Sequence, residues 1–310
     1  MRCLVTGGAG FIGSNLVEYL LAKNWQVRVV DDLSTGKKEN LAGFIDRLDF
    51  IEGDIRDATL LDSALEGCQI VFHQAALPSV PRSIAEPELT HDVNVNGTLN
   101  LLLASRRAGV GRVVLASSSS VYGDSKVLPR TEDLVPKPLS PYAVGKLTGE
   151  YYARVFATVY GLETICLRYF NVFGPRQDPD STYAAVIPRF IRALSNGKAP
   201  VVYGDGRQSR DFTYVDHVSE VNYLAATSPG SWHGEVINVG CGRSVTVLDL
   251  LETLKKIMKR EKIEPRFEPS RPGDVKDSLA RIDKARKLLR FAPRGDFTAE
   301  LTKTLNWFES

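Results

Sequence analysis

The first 32 residues carry the pattern that most constrains the fold of this 310-residue chain. Residues 2–6 have an apolar centre, Cys3-Leu4-Val5, and predict a buried strand, and the glycine turn Gly7-x-x-Gly10-x-x-Gly13 follows directly. A helical stripe of leucine and valine comes next, and then a second strand, residues 26–30, which ends in two acidic residues. Glycines let the backbone approach a pyrophosphate, and a helix N-terminus presents free N–H groups to its charge. This order therefore predicts a dinucleotide-binding βαβ unit.

The acidic pair, Asp31 and Asp32, bears on which dinucleotide binds. Asp31 lies roughly 20 residues after the turn, where an acid that binds the adenosine ribose is expected. A carboxylate at this place repels a 2′-phosphate, which favours NAD over NADP. Arg28, Lys37 and Lys38 lie nearby in sequence and keep NADP open as the alternative.

Strand and helix segments continue to alternate as far as residue 170. The predicted strands span residues 48–52, 70–74, 112–117 and 162–169, and the predicted helices span 58–66, 92–108 and 142–160. Such alternation predicts an α/β fold in which a doubly wound parallel Rossmann sheet is covered by helices on both faces.

Beyond residue 170 the composition of the sequence changes, and prolines and glycines become frequent. Residues 236–239 predict one more strand of the main sheet, and 246–260 predict a helix of a smaller mixed α/β lobe. We expect residues 1–170 with about 213–240 to form the NAD-binding domain. Residues 171–212 and 241–310 would form the second lobe, and a cleft between two lobes commonly holds a small molecule.

Composition and charge argue against several classes of function. The net charge is +2 and the basic residues are spread along the chain, so we expect neither nucleic acid nor a membrane surface as partner. No apolar run approaches the roughly 20 residues of a membrane span, and because the chain enters a strand at once we expect no signal peptide. Four cysteines without CxxC spacing predict reduced thiols and a cytoplasmic protein. The four histidines show no ligand spacing, so we expect no metal site.

A tyrosine and a lysine four residues apart, Tyr142 and Lys146, would share one face of a helix. Ser140 is a good cap for that helix and Pro141 suits its first turn. A neighbouring ammonium favours the phenolate, so we expect Lys146 to lower the pKa of Tyr142 and make it a general base. The spacing alone also fits an ordinary amphipathic helix. The functional interpretation is favoured because the glycine turn, Asp31, Asp54, Ala75 and Ser118 all fall at carboxyl ends of predicted strands, where ligands gather.

Across essentially its whole length the chain resembles the extended short-chain dehydrogenase/reductase family. The resemblance rests on the order and spacing of the glycine turn, Asp54, Asn94, Ser118 and Tyr142-x-x-x-Lys146. Within that family, four further segments resemble those of UDP-hexose 4-epimerases, namely residues 73–76, 79–83, 168–174 and 210–212. Residues 177–179 and 183–188 are similar to the UDP-N-acetylglucosamine 4-epimerases in particular.

The resemblance implies an enzyme that keeps NAD bound through its cycle. Tyr142 would take the proton from the sugar 4-hydroxyl while carbon 4 gives a hydride to NAD, and the 4-keto sugar would turn over and be reduced on its other face. Lys146 would lower the pKa of the tyrosine and bind the nicotinamide ribose. Ser118 would bind the 4-oxygen, with Ser119 as a candidate helper, although serines are also common in flexible turns.

The same resemblance implies two sets of binding residues. The cofactor set is Gly7, Gly10, Phe11, Ile12, Gly13, Asp31, Asp32, Asp54, Ile55, Ala75, Ala76, Asn94, Ser117, Tyr142, Lys146 and Tyr169. The substrate set is Ser79, Arg82, Ser118, Ser119, Tyr142, Asn171, Ala185, Val186, Pro188, Tyr203, Arg210, Arg271, Asp274 and Ser278.

In the substrate set, Asn171 would contact a phosphate and residues 186–188 would pack against the uracil. Arg210 and Arg271 would grip the diphosphate, because a planar guanidinium pairs with two phosphate oxygens at once. The alternative is that these arginines form salt bridges to Asp211 and Asp274. Asp274 is also a candidate to bind a uridine ribose hydroxyl.

Position 278 bears on the choice of sugar. Ser278 stands where epimerases confined to glucose and galactose carry a tyrosine that would crowd an N-acetyl group on carbon 2. This favours a UDP-GlcNAc/UDP-GalNAc 4-epimerase, with UDP-Glc and UDP-Gal as further candidate substrates.

Alternative functions remain on the same scaffold, namely an epimerase restricted to non-acetylated sugars or a UDP-glucuronate epimerase or decarboxylase. Dehydratases and decarboxylases that resemble the chain need an acid where Ser119 and Ser120 stand, which disfavours them. A non-catalytic nucleotide-binding protein is disfavoured because Tyr142 and Lys146 are both present. The resemblance also implies a homodimer formed through helices 92–108 and 142–160.

Overall fold

Seven parallel strands form the central sheet of the computed structural model, which describes residues 1–178, 185–270 and 275–309. In chain order, the strands of these residues are β1 Arg2–Thr6, β2 Gln26–Asp31, β3 Asp49–Glu52, β4 Ile70–His73, β5 Arg112–Ser118, β6 Glu163–Tyr169, β7 Val172–Phe173, β8 Val201–Tyr203, β9 Ser209–Arg210, β10 Thr213–Tyr214, β11 His233–Val239, β12 Val245–Thr246, β13 Arg266–Glu268 and β14 Asp277–Ser278.

Helices of very different length connect these strands. The α-helices are α1 Phe11–Ala22, α2 Ala58–Ala64, α3 Val80–Ala85, α4 Pro87–His91, α5 Gly97–Arg107, α6 Pro141–Tyr160, α7 Val186–Ser195, α8 Val215–Thr227, α9 Val247–Ile257, α10 Asp283–Leu289 and α11 Phe297–Glu309. Short 3₁₀ turns cover Lys38–Leu41, Ile45–Arg47 and Ser119–Tyr122, and a π-helical turn covers Asp92–Asn96.

The central sheet has the order β11-β6-β5-β4-β1-β2-β3 and every pair in it is parallel. Helices α1 and α8 cover one face through Leu16, Leu20 and Val221, and α2, α5 and α6 cover the other through Leu61, Leu101 and Phe156. Burial of apolar side chains on both faces stabilises a parallel sheet. The predicted doubly wound Rossmann fold is confirmed, and the order of strands reverses between β1 and β4, where such sheets bind ligands.

A second apolar core holds the smaller lobe together. Helices α7, α9 and α11 pack through residues such as Phe190, Leu251 and Leu301, beside the short strand pairs β8–β13 and β12–β9–β14. The Asp211 carboxylate connects the segment between β9 and β10 to the loop after β11 and to the segment after β14, because it accepts backbone N–H groups from Cys241, Gly242 and Ala280 at 2.8–3.1 Å. Where one domain ends and the other begins stays a prediction.

The predicted single helix over residues 92–108 is wrong in detail. The helical stretch begins earlier, at Pro87, and passes through the π-helical turn Asp92–Asn96 before α5. Proline fixes φ at a helical value and lacks only an N–H that a first turn does not use, so Pro87 can start the helix. Elsewhere the boundaries move by one to three residues, as at α9, which ends at Ile257 rather than near residue 260.

Among the described helices, none combines the length and the apolarity needed to span a membrane. All four cysteines are buried free thiols, and Cys3 and Cys166 lie in β1 and β6 as expected of core residues.

Candidate active site

The glycine turn brings the backbone of β1 against the loop that follows β4. Gly7 has φ +69°, and a Cβ there would lie 2.6 Å from the Ala75 nitrogen. A Cβ on Gly13 would collide with the Gly7 carbonyl oxygen. Both positions therefore require glycine, and the close packing leaves the first amides of α1 facing open space.

A cleft of about 890 Å³ opens at this edge of the sheet. It brings together all but one of the predicted cofactor residues, namely Gly7, Gly10, Phe11, Ile12, Gly13, Asp31, Asp32, Asp54, Ile55, Ala75, Ala76, Ser117, Tyr142, Lys146 and Tyr169. Three predicted substrate residues besides Tyr142 also line it, namely Ser79, Arg82 and Ala185.

Cleft residues that the sequence did not single out come from elements distant in the chain. They include Asn40, Arg176 and Trp307. Arg176 is the one with a recognisable sequence cue, since it lies two residues after the segment 168–174 that resembles UDP-hexose 4-epimerases.

Asp31 is held rigidly at the end of β2. Its carboxylate accepts N–H groups from Ala9 at 2.8 Å and from Leu33 at 2.9 Å, and burial raises the pKa of this carboxyl above its usual range. Arg28 is turned away from the cleft, because it pairs with Asp49 at 2.6 Å. The Lys38 ammonium lies over the Phe50 ring. Two of the three cations that kept NADP open are thus engaged elsewhere.

Asp54 and Ile55 line the far end of the cleft, beyond β3. Asp54 forms a salt bridge with Arg56 at 2.6 Å, and the hydrogen bonds from this guanidinium lower the pKa of the carboxyl. Asp54 is therefore a fixed negative charge at this end of the cleft.

Asn94 is the predicted cofactor residue that the structure does not bring into the cleft lining. It is buried in the π-helical turn, where its amide oxygen accepts the Leu77 N–H at 2.8 Å and its amide nitrogen donates to the Leu77 carbonyl at 3.1 Å. Its role as a direct cofactor contact stays a prediction, and the contacts that the structure shows give it a positioning role. It fixes the loop after β4, which itself lines the cleft.

Tyr142 and Lys146 lie in the first turns of α6 and both face the cleft. The Ser140 hydroxyl accepts the Ala143 N–H at 3.2 Å, which confirms the predicted cap, and Pro141 occupies the first turn. The Lys146 ammonium donates to the Ala116 carbonyl at 2.9 Å and lies 5.9 Å from the centre of the Tyr142 ring.

The prediction that Lys146 lowers the pKa of Tyr142 is wrong for these two side chains alone. Burial raises the pKa of Tyr142 above its usual range, and a hydrogen bond with Ser118 opposes this rise. Burial also lowers the pKa of Lys146, to about 8. A low-dielectric site disfavours the charged form of both groups, so a phenolate here needs further positive charge in the cleft.

The serine segment after β5 is ordered around Ser118. Its hydroxyl accepts the Ser120 N–H at 3.1 Å and caps the 3₁₀ turn Ser119–Tyr122. The same hydroxyl lies close enough to Tyr142 to oppose the rise of the tyrosine pKa. Ser118, Tyr142 and Lys146 thus form one group at the end of β5, and Ser119 is half-buried beside them.

The buried ion pair between Arg168 and Glu150 lies next to this group, and it was not predicted from the sequence. Arg168 donates two hydrogen bonds to Glu150, at 2.7 and 2.8 Å, and Ser117 donates to the same carboxylate at 2.5 Å. The sequence spacing could have indicated Glu150, because it follows Lys146 by four residues and so lies on the same side of α6. The pair fixes the ends of β5 and β6 relative to α6.

The remaining predicted substrate residues lie on the smaller lobe, outside the lining of the cleft. Asn171 donates to the Asp211 carbonyl at 3.4 Å, and Tyr203 packs under the Arg189 guanidinium. Val186 and Pro188 belong to the first turn of α7, and Pro188 is buried. The residues Arg271 and Asp274 lie outside the described residues, as do Pro179, Tyr183 and Ala184.

Arg210 and Ser278 are neighbours, because β9 and β14 pair in parallel with these two residues opposite each other. Ser278 is 5% exposed. Arg210 donates to the Ser209 and Lys276 carbonyls at 2.8 and 3.0 Å. The alternative was a salt bridge from Arg210 to the Asp211 carboxylate. The oxygens of that carboxylate instead accept the backbone amides of Cys241, Gly242 and Ala280.

In the parts of the chain that the structure describes, no group of three or more His, Cys, Asp or Glu side chains is arranged to hold a metal ion.

The parallel sheet, the glycine turn and the Ser118–Tyr142–Lys146 group together define an enzyme of the extended short-chain dehydrogenase/reductase class. Comparison with known proteins gives the narrower assignment. The NAD dependent epimerase/dehydratase family matches residues 3–240, and the chain belongs to this family. Its cofactor is NAD, and the residues around the cleft fit it: a Cβ would fill the cradle at Gly7 and Gly13, and the acidic residue Asp31 lines the cleft at the end of β2.

Three relatives cover the chain almost completely. A UDP-N-acetylglucosamine 4-epimerase from Methanobrevibacter ruminantium, solved with UDP-N-acetylmuramic acid, has a TM-score of 0.94 and 43% identity, over 99% of this chain and 98% of that one. The UDP-glucose 4-epimerase of Thermus thermophilus, solved with NAD, has a TM-score of 0.89 and 36% identity, over 100% and 99%. The UDP-glucose 4-epimerase of Mycolicibacterium smegmatis is 39% identical over 314 residues, which are 100% of this chain and 99% of the relative.

Other relatives carry other names at similar identity. They include a UDP-glucuronate 4-epimerase from Thermodesulfobacterium geofontis at 35% and a UDP-N-acetyl-alpha-D-glucosaminuronate decarboxylase from Bacillus cytotoxicus at 33%. Likeness alone therefore gives the family and the cofactor and leaves the sugar open.

Proposed function

We propose that this protein is a 4-epimerase that interconverts UDP-GlcNAc and UDP-GalNAc, with UDP-Glc and UDP-Gal as further substrates. The observation that carries the reaction is that Tyr142 and Lys146 both line the dinucleotide cleft, with Ser118 next to Tyr142 at the end of β5. The M. ruminantium enzyme, named for UDP-N-acetylglucosamine, supports the acetylated pair.

Each member of the group has a task in this reaction. Tyr142 accepts the proton of the sugar 4-hydroxyl and returns it after inversion, and Ser118 holds the 4-oxygen by hydrogen bonding. Lys146, fixed by the Ala116 carbonyl, would hydrogen-bond the nicotinamide ribose. Burial outweighs its charge at Tyr142, so the phenolate depends on the positive charge of the bound cofactor. NAD, when bound, supplies the hydride acceptor and adds its own positive charge. Ser119 and Ser120 occupy the places where an acid would be needed for elimination, which supports epimerisation.

The sugar is argued from Ser278. A serine is much smaller than a tyrosine, and Ser278 lies opposite Arg210 in the β9–β14 pair. Arg210 is the proposed ligand of the diphosphate, so a substituent on the adjoining sugar is expected close to residue 278. Room at that place admits an N-acetyl group and does not by itself reject a hydroxyl.

The first experiment incubates the purified protein with UDP-GlcNAc and follows UDP-GalNAc by NMR. Interconversion without added reductant is expected, and denaturation should release tightly bound NAD. Tyr142→Phe should lower kcat by about 10³-fold while the NAD content stays unchanged, because only the proton carrier is lost. Absence of any interconversion at high enzyme concentration would end the proposal, and conversion of UDP-glucuronate instead would favour the glucuronate alternative.

The second experiment tests the sugar gate. Ser278→Tyr should retain turnover of UDP-Glc and reduce kcat/KM for UDP-GlcNAc by about 100-fold, because the ring occupies the space of the N-acetyl group. Ser278→Ala is the matched control and should keep both activities, since it leaves the space open. Equal losses on both sugars in Ser278→Tyr would show that residue 278 does not select between them.

A further inference from the structure

The most deeply buried guanidinium among the described residues belongs to Arg130, which is only 1% exposed. It lies in the segment between the serine turn and α6. Its Nη2 donates to the Gly123 carbonyl at 3.1 Å and to the Asp277 carbonyl at 3.2 Å, and its Nη1 makes a longer contact of 3.5 Å to the Ser119 carbonyl. One side chain thus binds the two ends of the serine turn and the strand β14.

The backbone of Arg130 is fixed to the same region of the second lobe. Its N–H donates to the Leu279 carbonyl at 2.8 Å, and its carbonyl accepts the Arg281 N–H at 2.9 Å and the Asn238 amide at 2.9 Å. These bonds leave the guanidinium little freedom to move. Residue 130 therefore behaves as a rigid bracket between the serine turn and the segment 277–281.

The two segments joined by this bracket carry residues of the proposed sugar site. Ser119 supplies one of the carbonyls, and Ser278 directly follows Asp277, which supplies another. Ser278 in turn pairs with Arg210 across β9 and β14. The chain of contacts runs from the catalytic serines, through Arg130, to the position proposed to select the sugar.

Burying the charged Arg130 side chain in this space is energetically unfavourable. Burial lowers the pKa of Arg130, and the like charge of Arg210 acts in the same direction. Its Nε is buried without a hydrogen-bond partner in the described part of the chain. An apolar side chain would fill the volume without desolvating a charge, but only a planar fork reaches carbonyls on two separate segments at once.

We propose that Arg130 is a positioning residue that sets the distance between the catalytic serine turn and Ser278, and thereby the width of the sugar pocket. This inference rests on the proposed function. Without the Arg130 contacts, the serine turn and the segment that carries Ser278 can move apart. The larger N-acetylated sugar tolerates the wider pocket, whereas the smaller sugar is poorly oriented in it.

The test measures kcat/KM for UDP-GlcNAc and for UDP-Glc in Arg130→Met and Arg130→Lys. The ratio of the two values should rise about fivefold or more in Arg130→Met, mainly through a lower kcat on UDP-Glc. Arg130→Lys keeps the charge but loses the fork, so its ratio should rise less. A purely structural role would lower both activities together and leave the ratio unchanged.

Arg112→Lys is the matched control. Arg112 also donates to a cluster of backbone carbonyls, those of Ala225, Ala226 and Ser228 at 2.9–3.0 Å, but it lies at the opposite end of β5. This variant should lower the melting temperature and leave the sugar ratio unchanged.

The outcomes separate the two proposals. If the unaltered protein epimerises the sugars and the ratio stays within twofold in both Arg130 variants, the role of Arg130 is overturned and the proposed function stands. Failure of both variants to fold with bound NAD would show a structural role alone and would also overturn it. If the unaltered protein epimerises neither sugar, the proposed function fails and the inference falls with it.

Discussion

Burial shifts the pKa values of Tyr142 and Lys146 more strongly than their neighbours do. Tyr142 and Lys146 are both shifted toward their neutral forms by desolvation, with the pKa of the lysine near 8. His73, at the end of β4, follows the same rule, since burial and then the charge of Lys146 lower its pKa to about 3. Its two ring nitrogens contact the hydroxyls of Thr6 and Thr98 at 2.8 and 2.9 Å, so the neutral ring is fully hydrogen-bonded.

His73 should therefore control part of the acid sensitivity of the fold. Below pH 6.5 the unfolded chain binds a proton on this histidine that the folded protein does not bind until about pH 3. Its contribution makes the free energy of unfolding fall by about 1.4 kcal/mol for each pH unit on acidification through this window. Urea titrations between pH 7 and pH 4 should show a shallower dependence in His73→Gln. The exposed His233→Gln should keep the slope of the unaltered protein, and equal slopes in all three would contradict the assignment.

At the scale of the element, helix α6 combines several tasks along its 20 residues. Its first turns present Tyr142 and Lys146 to the cleft, and Glu150 anchors the ends of two strands one turn further on. Ala153 and Phe156 bury the helix against the sheet. The position of the reacting phenol therefore depends on how firmly the start of this helix is held.

The cap at Ser140 tests that dependence. Ser140→Ala removes the acceptor of the Ala143 N–H and should lower the free energy of unfolding by about 1 kcal/mol, and it should also reduce kcat. Thr246→Ala is the matched control, because Thr246 caps α9 in the same way, at 3.0 Å from the Asp249 N–H, and α9 contributes no site residue. Equal effects of the two variants on kcat would show that the cap matters for stability alone. Urea unfolding and turnover measure the two quantities.

At the scale of the whole molecule, the outer face of α6 is apolar where no part of the described chain covers it. Tyr151 is 59% exposed and Val159 is 65% exposed, and Val144 and Val155 continue the same stripe. A contiguous exposed apolar stripe is typical of an interaction surface. This supports the expectation of a two-fold dimer through the helix pair α5 and α6, which stays a prediction.

Light scattering after size exclusion should give twice the 34.2 kDa of one chain. Val159→Glu places a charge on the stripe and should shift the protein toward the single-chain mass, because burying an unpaired carboxylate is costly. Phe267→Glu is the control, since Phe267 is 54% exposed on β13, far along the chain from α6, and should leave the mass unchanged. A single-chain mass for the unaltered protein would remove the dimer.

Local sequence patterns determined the order of strands and helices, the glycine turn and the approximate ends of most elements. These features depend on residues close together in the chain, such as Gly7 and Gly13 or the Ser140–Pro141 start of α6, and their physics is local. The helix predicted over 92–108 failed because its apolar periodicity does not reveal the extra residue of a π-helical turn. Asn94 occupies that turn and binds Leu77, a residue 17 positions earlier.

The tertiary structure decided which side chains meet and in what dielectric. The pKa of Tyr142 could not follow from its spacing to Lys146, because burial by distant strands outweighs one neighbouring charge. The bracket at Arg130 joins positions 147 residues apart, and no periodicity in the sequence relates them. The amino-acid sequence by itself determined a dinucleotide-binding α/β enzyme with a Ser–Tyr–Lys group. Only the fold decided how deeply that group is buried and which segments Arg130 joins, since both depend on long-range packing.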